Sequence, residues 1–436
     1  MSTRYLLVGS GVAAIAAAEA IRSLDAAGAI TLISDDPHGY YSRPGLAYYL
    51  TGELPRAALF PWNEQDFARL RLQRLQARVA AVEPEAHRLL LSDGAVLPYD
   101  RLLLATGAAA LQPDLPGNHL PEVVKLDSLA DAERMIKLAK RARSAVVVGG
   151  GITALEIVEG LHPYCRHVHY LLRGARYWSN VLDEEEARTV LARLAAAGVQ
   201  IHTHSEITQI EERQGHVAAV RLQKGERIAC DLVAVAIGVV PRLELARAAG
   251  LQVDRGILAD DTLRTSAADV FAAGDVAQVL DSRSGRATLD TLWNTARAHG
   301  EVAGRNMAGA AARYLKPVPF NVTRLAGITT TVIGAVGAGR DADVQGIARG
   351  DSDIWRSRGD ALVVEDGETV NRLRLVVGPQ HLLGAVLMGD QRLSRTLQHL
   401  IGTAADITPI RELFTQPGVN LYNVLAEFAQ SRMVEP

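Results

Sequence analysis

The feature that most constrains the fold of this chain is a strand–glycine–helix unit that occurs twice. Near the start, the apolar run "YLLVG" is followed by "SGVAAIAAAEA", and "SAVVVGGGITALEIVEG" repeats the arrangement further along. An apolar strand, a glycine turn and a helix predict a βαβ unit whose first strand is buried in a parallel sheet. The duplication is stronger support for two such units than either copy alone.

The small residues of both turns have the spacing that binds a dinucleotide. A pyrophosphate binds the N–H groups at a helix N-terminus, which requires glycine at the close approach and a small residue where helix meets strand. The predicted residues are Gly9, Ser10, Gly11 and Ala14 in the first turn and Gly149, Gly151 and Ala154 in the second. The alternative is that these glycines form ordinary turns of an α/β sheet.

The residue after the second strand of each unit bears on which nucleotide binds. Asp35 follows "AITLIS" and is suited to the ribose hydroxyls of an adenosine. At the equivalent place in the second unit, "HYLLRG" has Leu172 and Arg173 and no carboxylate. An arginine there can pair with a 2′-phosphate, so the sequence favours NADPH over NADH at the second site. The alternative is that Arg173 only faces solvent.

Composition excludes several classes of protein. Apolar residues make up 48% of the 436 residues, and the net charge of −3 gives no case for binding nucleic acid or a membrane. Cys165 and Cys230 are far apart in sequence, so they form neither a CxxC pair nor a four-ligand cluster, and no metal site is predicted.

The apolar N-terminus resembles a signal peptide in composition, but it contains the first glycine turn. A cytoplasmic protein is therefore expected.

Two helical segments carry weaker predictions. The acidic run Asp183–Glu186 is typical of a solvated helix start. The last helix places apolar residues on one face, namely Leu421, Val424, Leu425 and Phe428. That face is expected to be buried against its own domain or a second subunit, which leaves a homodimer open.

With these motifs the chain resembles the FAD-dependent pyridine nucleotide–disulfide oxidoreductase superfamily. The resemblance covers residues 1 to about 310, through GxGxxA, "ATG", GxGxxAxxE and "VFAAGD" in that order. It is most similar to the branch without a redox disulfide, which includes rubredoxin and ferredoxin reductases and the flavin portion of the nitrite reductase large subunit. Neither a cysteine in residues 37–50 nor a CxxxxC pair is present, which excludes disulfide reductase chemistry.

The resemblance implies a role for individual residues in holding FAD. The first glycine turn and Asp35 would bind its pyrophosphate and ribose, and Arg43 of "SRP" would lie near the phosphates and flavin. Val79 would touch the adenine through its backbone, while Asp275 of "AAGD" would bind the ribityl chain. Three further residues complete the predicted cofactor contacts: Thr106 and Gly107 of "ATG", and Gly238, which ends the corresponding strand of the second unit.

The predicted catalytic residues are Glu156 and Tyr48. Glu156 would lie by the nicotinamide, where hydride passes to flavin N5, and the helix from Trp293 would direct its positive end at the flavin. Related reductases often have a lysine where Tyr48 stands, so a Lys–Glu pair is not expected. The plainer alternatives are a first-turn helix carboxylate for Glu156, interdomain packing for Tyr48 and core packing for Trp293.

The predicted fold is α/β, with two Rossmann-like dinucleotide-binding domains and a C-terminal α+β domain. The FAD-binding domain is expected at 1–115 and 250–318, the NAD(P)H-binding domain at 116–249 and the C-terminal domain at 319–436. The predicted function is an FAD-dependent NAD(P)H oxidoreductase that passes electrons to a partner, a small iron protein. The alternatives are a stand-alone oxidase or quinone reductase, and a redox sensor without steady turnover.

Overall fold

The computed structural model describes residues 2–282, 285–336, 345–350, 371–416 and 418–433, and the strand expected at "ALVVED" lies outside these ranges. The strands are β1 Arg4–Val8, β2 Ala29–Ser34, β3 Leu72–Gln76, β4 Val79–Glu83, β5 Arg88–Leu91, β6 Val96–Pro98, β7 Arg101–Leu104, β8 Ala108–Ala110, β9 Val123–Val124, β10 Ser144–Val148, β11 His167–Leu171, β12 Gln200–His202, β13 Ile207–Arg213, β14 His216–Leu222, β15 Arg227–Ala229, β16 Leu232–Val235, β17 Val239–Pro241, β18 Ile257–Ala259, β19 Val270–Ala272, β20 Ala277–Asp281, β21 Arg286–Leu289, β22 Phe320–Leu325, β23 Ile328–Gly334, β24 Gln345–Gly350, β25 Arg372–Val377 and β26 Leu382–Met388. The helices are α1 Val12–Leu24, α2 Gly45–Leu50, α3 Glu64–Arg69, α4 Leu129–Ala139, α5 Ile152–Leu161, α6 Glu184–Ala196, α7 Glu244–Ala248 and α8 Trp293–Met307, followed by Ser394–Gly402 and Leu421–Met433.

The two repeated units form two parallel sheets of the same design. The first has the strand order β19-β7-β1-β2-β3 and the second the order β12-β11-β10-β16-β9, with every pairing parallel. In both, the strand before the glycine turn lies in the centre and is almost wholly buried, as apolar strands covered on both faces require. The predicted fold class is confirmed.

The first sheet is assembled from two separate stretches of chain. Strand β19 pairs with β7, although the whole second sheet lies between them in sequence. A short antiparallel pair, β8 with β17, joins the two units where the chain passes from one to the other. The boundaries expected for the domains at 115, 249 and 318 stay predictions.

Helix α8 packs backbone to backbone against α1, the helix of the first glycine turn. A Cβ atom at Gly300 would lie 2.0 Å from the carbonyl oxygen of Ala13, and one at Gly304 would lie 2.4 Å from that of Ala17. Only glycine leaves room for this approach, because real Cβ atoms essentially never come closer than 3.0 Å to such a neighbour. The glycine pair therefore fixes the position of the first turn of α1.

The C-terminal domain is an antiparallel sheet covered by helices. Its strand order is β22-β23-β26-β25-β24, and the helices Ser394–Gly402 and Leu421–Met433 pack on it. Leu421, Leu425 and Phe428 are buried in the core of this domain and Val424 is partly buried there. Burial of the last helix against its own domain, one of the two expected outcomes, is thereby confirmed.

A buried cluster of charges joins the C-terminal domain to the second parallel unit. Asp183 caps α6 in a capping box with Glu186, so the predicted helix start is confirmed. The solvated environment predicted for this run is wrong at Glu186, which is fully buried. The nitrogen Nε of Arg374 lies 2.8 Å from Glu186 Oε1, and Arg372 Nη2 lies 2.9 Å from Asp183 Oδ2. Buried carboxylates require such partners, and two arginines from β25 supply them.

Candidate cofactor-binding and active site

A cavity of about 1250 Å³, the cofactor cavity, runs along the carboxyl ends of the strands of the first sheet and reaches α5 of the second unit. Sites for drug-sized ligands are usually about 300–1000 Å³, so this cavity has room for an extended dinucleotide. The predicted residues that line it are Gly9, Ser10, Gly11, Asp35, Arg43, Val79, Thr106, Gly107, Glu156 and Asp275. The sequence pattern thus brings these side chains to one place.

The first glycine turn has the shape that a pyrophosphate requires. Gly9 has φ +117°, and a Cβ atom there would lie 2.1 Å from the carbonyl oxygen of Ala105. Gly11 is the N-cap of α1, and a Cβ atom on it would meet nothing within 4 Å, so a ligand can approach its backbone. Ala14 is fully buried where helix meets strand, as predicted for a small residue.

The second turn repeats this geometry closely. Gly149 has φ +147°, and its Cβ atom would lie 2.1 Å from the carbonyl oxygen of Ala236. Gly151 caps α5 with open space around it, and the methyl of Ala154 lies only 3.0 Å from the would-be Cβ of Gly149. This second turn does not line the cofactor cavity, although Thr153 and Glu156 of the helix that follows do.

At the end of β2, the two adjacent acids Asp35 and Asp36 have different hydrogen-bonding environments. The carboxylate of Asp36 accepts a hydrogen bond from the Tyr41 hydroxyl at 3.1 Å and one from the His38 N–H. In the part of the chain that the structure describes, the Asp35 carboxylate has no hydrogen-bond partner and lines the cofactor cavity. Of the two acids, Asp35 is therefore the one whose carboxylate is open to a ligand, and its contact with ribose hydroxyls stays a prediction.

At the other end of the cofactor cavity, the carboxyl group of Asp275 is buried and is influenced by one positive and one negative side chain. Burial raises its pKa to about 6, Arg43 opposes the rise and Asp290 adds to it. A buried carboxyl of this kind is suited to hydrogen bonding with ligand hydroxyls. The turn before it packs on the start of α8, because the would-be Cβ of Gly274 lies 3.5 Å from the Ala296 methyl.

The remaining predicted FAD contacts occupy different parts of this region. Trp293 is the first residue of α8 and is 43% exposed, and it does not line the cofactor cavity. Val79 opens β4 and is buried. Thr106 donates to the carbonyl of Arg242 at 3.4 Å, whereas Gly238, with φ +121°, lies at the link between the two units and accepts from the Leu111 N–H at 2.9 Å.

Glu156 lines a second, smaller cavity as well as the cofactor cavity. This junction cavity has a volume of about 20 Å³ and lies where α2, α5 and β22 meet; it is lined by Ala47, Tyr48, Thr51, Glu156, Glu159, Thr323 and Arg324. Burial, reinforced by the charge of Glu159, raises the pKa of Glu156 to about 7. Tyr48 is 40% exposed, and the Arg324 guanidinium lies 5.9 Å from its ring centroid. A cation beside this tyrosine thus comes from the C-terminal domain, which the sequence motifs did not reveal.

Arg173 lies at the predicted nucleotide position, with a neighbour that the sequence did not reveal. Its side chain is 87% exposed, and its Nε lies 3.8 Å from Glu206 Oε1. Arg173 does not line the cofactor cavity. A 2′-phosphate that bound this arginine would therefore compete with the carboxylate of Glu206, whose position next to Arg173 arises only in the folded second unit.

The two cysteine thiols lie in surroundings that disfavour their reactive, ionised form. Both cysteines are free and buried, and burial raises the pKa of Cys165 to about 11 and that of Cys230 to about 12. Because the thiolate is the reactive form, neither is suited to redox exchange. Among the described residues, no three metal-ligating side chains are grouped together, and none of the helices is long and apolar enough to cross a membrane.

Two glycine turns built alike, one long cavity and a half-buried glutamate between the units define an oxidoreductase that uses two dinucleotides. The residues present fit FAD in the first unit, because both the open backbone at Gly11 and the unpartnered Asp35 lie in the cofactor cavity. The chain belongs to the pyridine nucleotide-disulphide oxidoreductase family, which its residues 3–300 match. It is an FAD-dependent NAD(P)H oxidoreductase, as predicted.

Relatives extend the match beyond the family region. The ferredoxin–NAD(+) reductase component of the biphenyl dioxygenase system of Paraburkholderia xenovorans (strain LB400) is 31% identical over 96% of this chain and 97% of its own length. The rubredoxin–NAD(+) reductase of Pseudomonas putida is 31% identical over 76% of this chain and 86% of its own. The solved ferredoxin reductase for the CYP199A2 system of Rhodopseudomonas palustris superposes with a TM-score of 0.85 at 25% identity, covering 97% of this chain and all of that one.

Proposed function

We propose that this chain takes hydride from NADH or NADPH and passes the electrons, by way of FAD, to a small iron protein such as a ferredoxin or rubredoxin. The observation that carries the proposal is the cofactor cavity, which is lined both by the first glycine turn and by Glu156 of the second unit. A nucleotide in the second unit can then place its reactive ring beside a flavin in the first. The names of the relatives support the nature of the acceptor, and the match to the ferredoxin reductase component covers 96% of this chain and 97% of that one.

The residues divide the work of binding and orientation between the two units. Gly11 and Asp35 hold the pyrophosphate and ribose of FAD, and Asp275 with Arg43 holds the part nearer the flavin. When bound there, FAD would supply the exchange between a two-electron hydride and single electrons, which a nicotinamide does not readily perform. Gly149 and Gly151 hold the second dinucleotide, so that Glu156 lies beside the reacting rings.

The acceptor is tested with the FAD-loaded protein. Stopped-flow mixing with NADH and NADPH measures bleaching of the yellow flavin absorption, and a [2Fe–2S] ferredoxin or a rubredoxin is then added. We expect the flavin absorption to bleach fast enough to support turnover, and we expect at least one iron protein to be reduced rapidly. Electron delivery to oxygen as fast as to either iron protein would favour the stand-alone oxidase, and bleaching too slow for turnover would favour a sensor.

A matched pair of variants links the result to the site. Asp275→Asn removes a charge from the cofactor cavity and is expected to weaken FAD binding and to shift the flavin absorption. Glu133→Gln on α4 removes an acid whose partner is Arg56, 2.7 Å away, and which does not line the cofactor cavity. This control is expected to behave as the wild type. We also propose a cytoplasmic location, which agrees with two free thiols.

A further inference from the structure

Two acids of α5 lie on one face of the helix and meet at the junction cavity. Glu156 and Glu159 are three residues apart, so their side chains are neighbours on the helix surface. Both line the junction cavity, but only Glu156 also lines the cofactor cavity. The two carboxyl groups therefore form a continuous path of polar groups from the reacting centre toward the contact between α2 and β22.

The junction cavity is suited to a water molecule. Its volume of about 20 Å³ exceeds the roughly 10–15 Å³ that one water needs, and its lining offers several polar partners. The Nε atom of Arg324 is buried and finds no hydrogen-bond partner among the described residues. A water in the junction cavity would accept that hydrogen and bridge the two carboxyl groups.

Charged groups at the far end lead to solvent. The Arg324 guanidinium and the backbone N–H of Gly327 favour the ionised form of the Glu159 carboxyl group. Arg324 and Glu53 form an ion pair between β22 and the loop after α2, and their side chains are 37% and 40% exposed. On the inner side, the hydroxyl of Tyr177 is buried without a hydrogen-bond partner in the described chain. The series of polar groups thus runs from Glu156 at the cofactor cavity to solvent beside Arg324.

The reaction needs such an outlet. When NADH supplies two electrons to two one-electron acceptors, the products are NAD⁺, two reduced acceptors and one proton, and that proton must leave the site. We propose that the Glu156 carboxylate takes up this proton at the reacting centre and that Glu159 is a proton-carrying residue. Glu159 receives the proton from the Glu156 carboxyl through the water in the junction cavity, which returns Glu156 to its ionised form, and delivers it to solvent beside Arg324. This inference rests on the proposed one-electron delivery.

The pKa values of the two acids agree with this role. Burial raises the pKa of Glu159 to about 7, Arg324 and the Gly327 N–H oppose the rise and Glu53 adds to it. Glu156 also has a pKa of about 7. Burial raises the pKa of Tyr177 well above its ordinary value, and Tyr170 and the charges of both acids add to the rise. Two neighbouring acids with matched pKa values near neutral pH exchange a proton with little cost in either direction.

The test compares Glu159→Gln with Glu159→Asp and with the surface control Glu133→Gln. Flavin reduction by NADH is followed by stopped flow, and proton release is followed with a pH indicator while ferricyanide takes the electrons one at a time. We expect Glu159→Gln to leave flavin reduction nearly unchanged and to slow proton release about tenfold or more. The aspartate variant keeps an acid and should restore most of the release rate, and the control should match the wild type.

A second readout does not depend on turnover. Infrared spectra of the FAD-loaded protein between pH 5 and 9 report protonated carboxyl groups, and Glu159→Gln should lose one titrating band and shift the other to lower pH, since a neighbouring negative charge is removed. Unchanged proton release with an unshifted band overturns the proposal, as does an equal loss of flavin reduction and proton release. Because ferricyanide replaces the iron protein, failure here is distinct from failure to reduce a ferredoxin.

Discussion

Replacement of Gly300 by alanine tests whether the contact between α1 and α8 holds the first glycine turn in place. The new methyl would lie 2.0 Å from the carbonyl oxygen of Ala13, so α8 must retreat by about 1 Å to restore the 3.0 Å minimum. Backbone cannot rotate aside as a side chain does, so the cost lies toward the upper part of the range of about 1–3 kcal/mol for overpacking.

The gain in helix propensity offsets part of this cost. Alanine is favoured over glycine in a helix by about 0.5–1 kcal/mol, which leaves a net loss of about 1–2 kcal/mol in the free energy of unfolding. At roughly 2–4 °C per kcal/mol for a cooperative unit of about 150–250 residues, the size expected for the FAD-binding domain, the melting temperature of that domain should fall by about 2–8 °C. Because Ala13 lies in the first turn of α1, the variant should also retain less FAD.

The assay is a thermal melt of the FAD-loaded protein together with the flavin content after gel filtration. Gly402→Ala is the matched control, since that helical glycine has nothing within 4 Å of its would-be Cβ. The control should melt at the wild-type temperature or slightly above. A Gly300→Ala protein that melts as high as this control and keeps its full flavin would show that the contact between α1 and α8 does not hold the first glycine turn in place.

Three further changes have defined outcomes. Arg374→Met removes the closer of the two arginines that pair with the buried Glu186 carboxylate, at 2.8 Å, and leaves Arg372 at 3.8 Å. It should lower the free energy of unfolding by up to about 3–5 kcal/mol in urea titrations; a loss below about 1 kcal/mol would contradict the buried pairing. Glu206→Ala frees Arg173, so the ratio of kcat/KM for NADPH to that for NADH should rise, and a fall would count against the assigned nucleotide position. In the folded chain, Glu156 and Glu159 have pKa values of about 7, against an ordinary 4.5, so the folded state binds more protons than the unfolded state between these values. The free energy of unfolding should therefore decrease as the pH rises from 5 to 7, by an amount on the order of 2 kcal/mol per acid. A double glutamine variant should lack this decrease.

Local motifs made much of the site predictable from the sequence. Gly9 and Gly149 are each required by a strand that passes within 2.1 Å of the would-be Cβ, and that requirement appears in the sequence as a strand, a glycine turn and a helix. Asp35 and Asp275 follow strands whose ends meet at one edge of a parallel sheet. Their convergence follows from the topology that the repeat already implies.

Residues that act across long sequence separations could not be predicted in this way. Arg324 lines the junction cavity from β22, and no residue close to Tyr48 in sequence indicates that a cation lies there. Glu186 looked like part of a solvated acidic helix start because its partner, Arg374, belongs to another domain. Gly300 carries no local turn signal, since its role is to admit a second helix rather than to bend the chain.

The assembly of the first sheet from two stretches of chain has a consequence for biosynthesis. On the ribosome, β7 emerges long before its partner β19, and the entire second sheet is synthesised in the interval. At about 5–20 residues per second this interval is on the order of ten to thirty seconds, during which the edge of β7 is unpaired. The half of the protein that is translated first therefore completes its fold late, and the nascent chain is exposed to aggregation at that edge until β19 arrives.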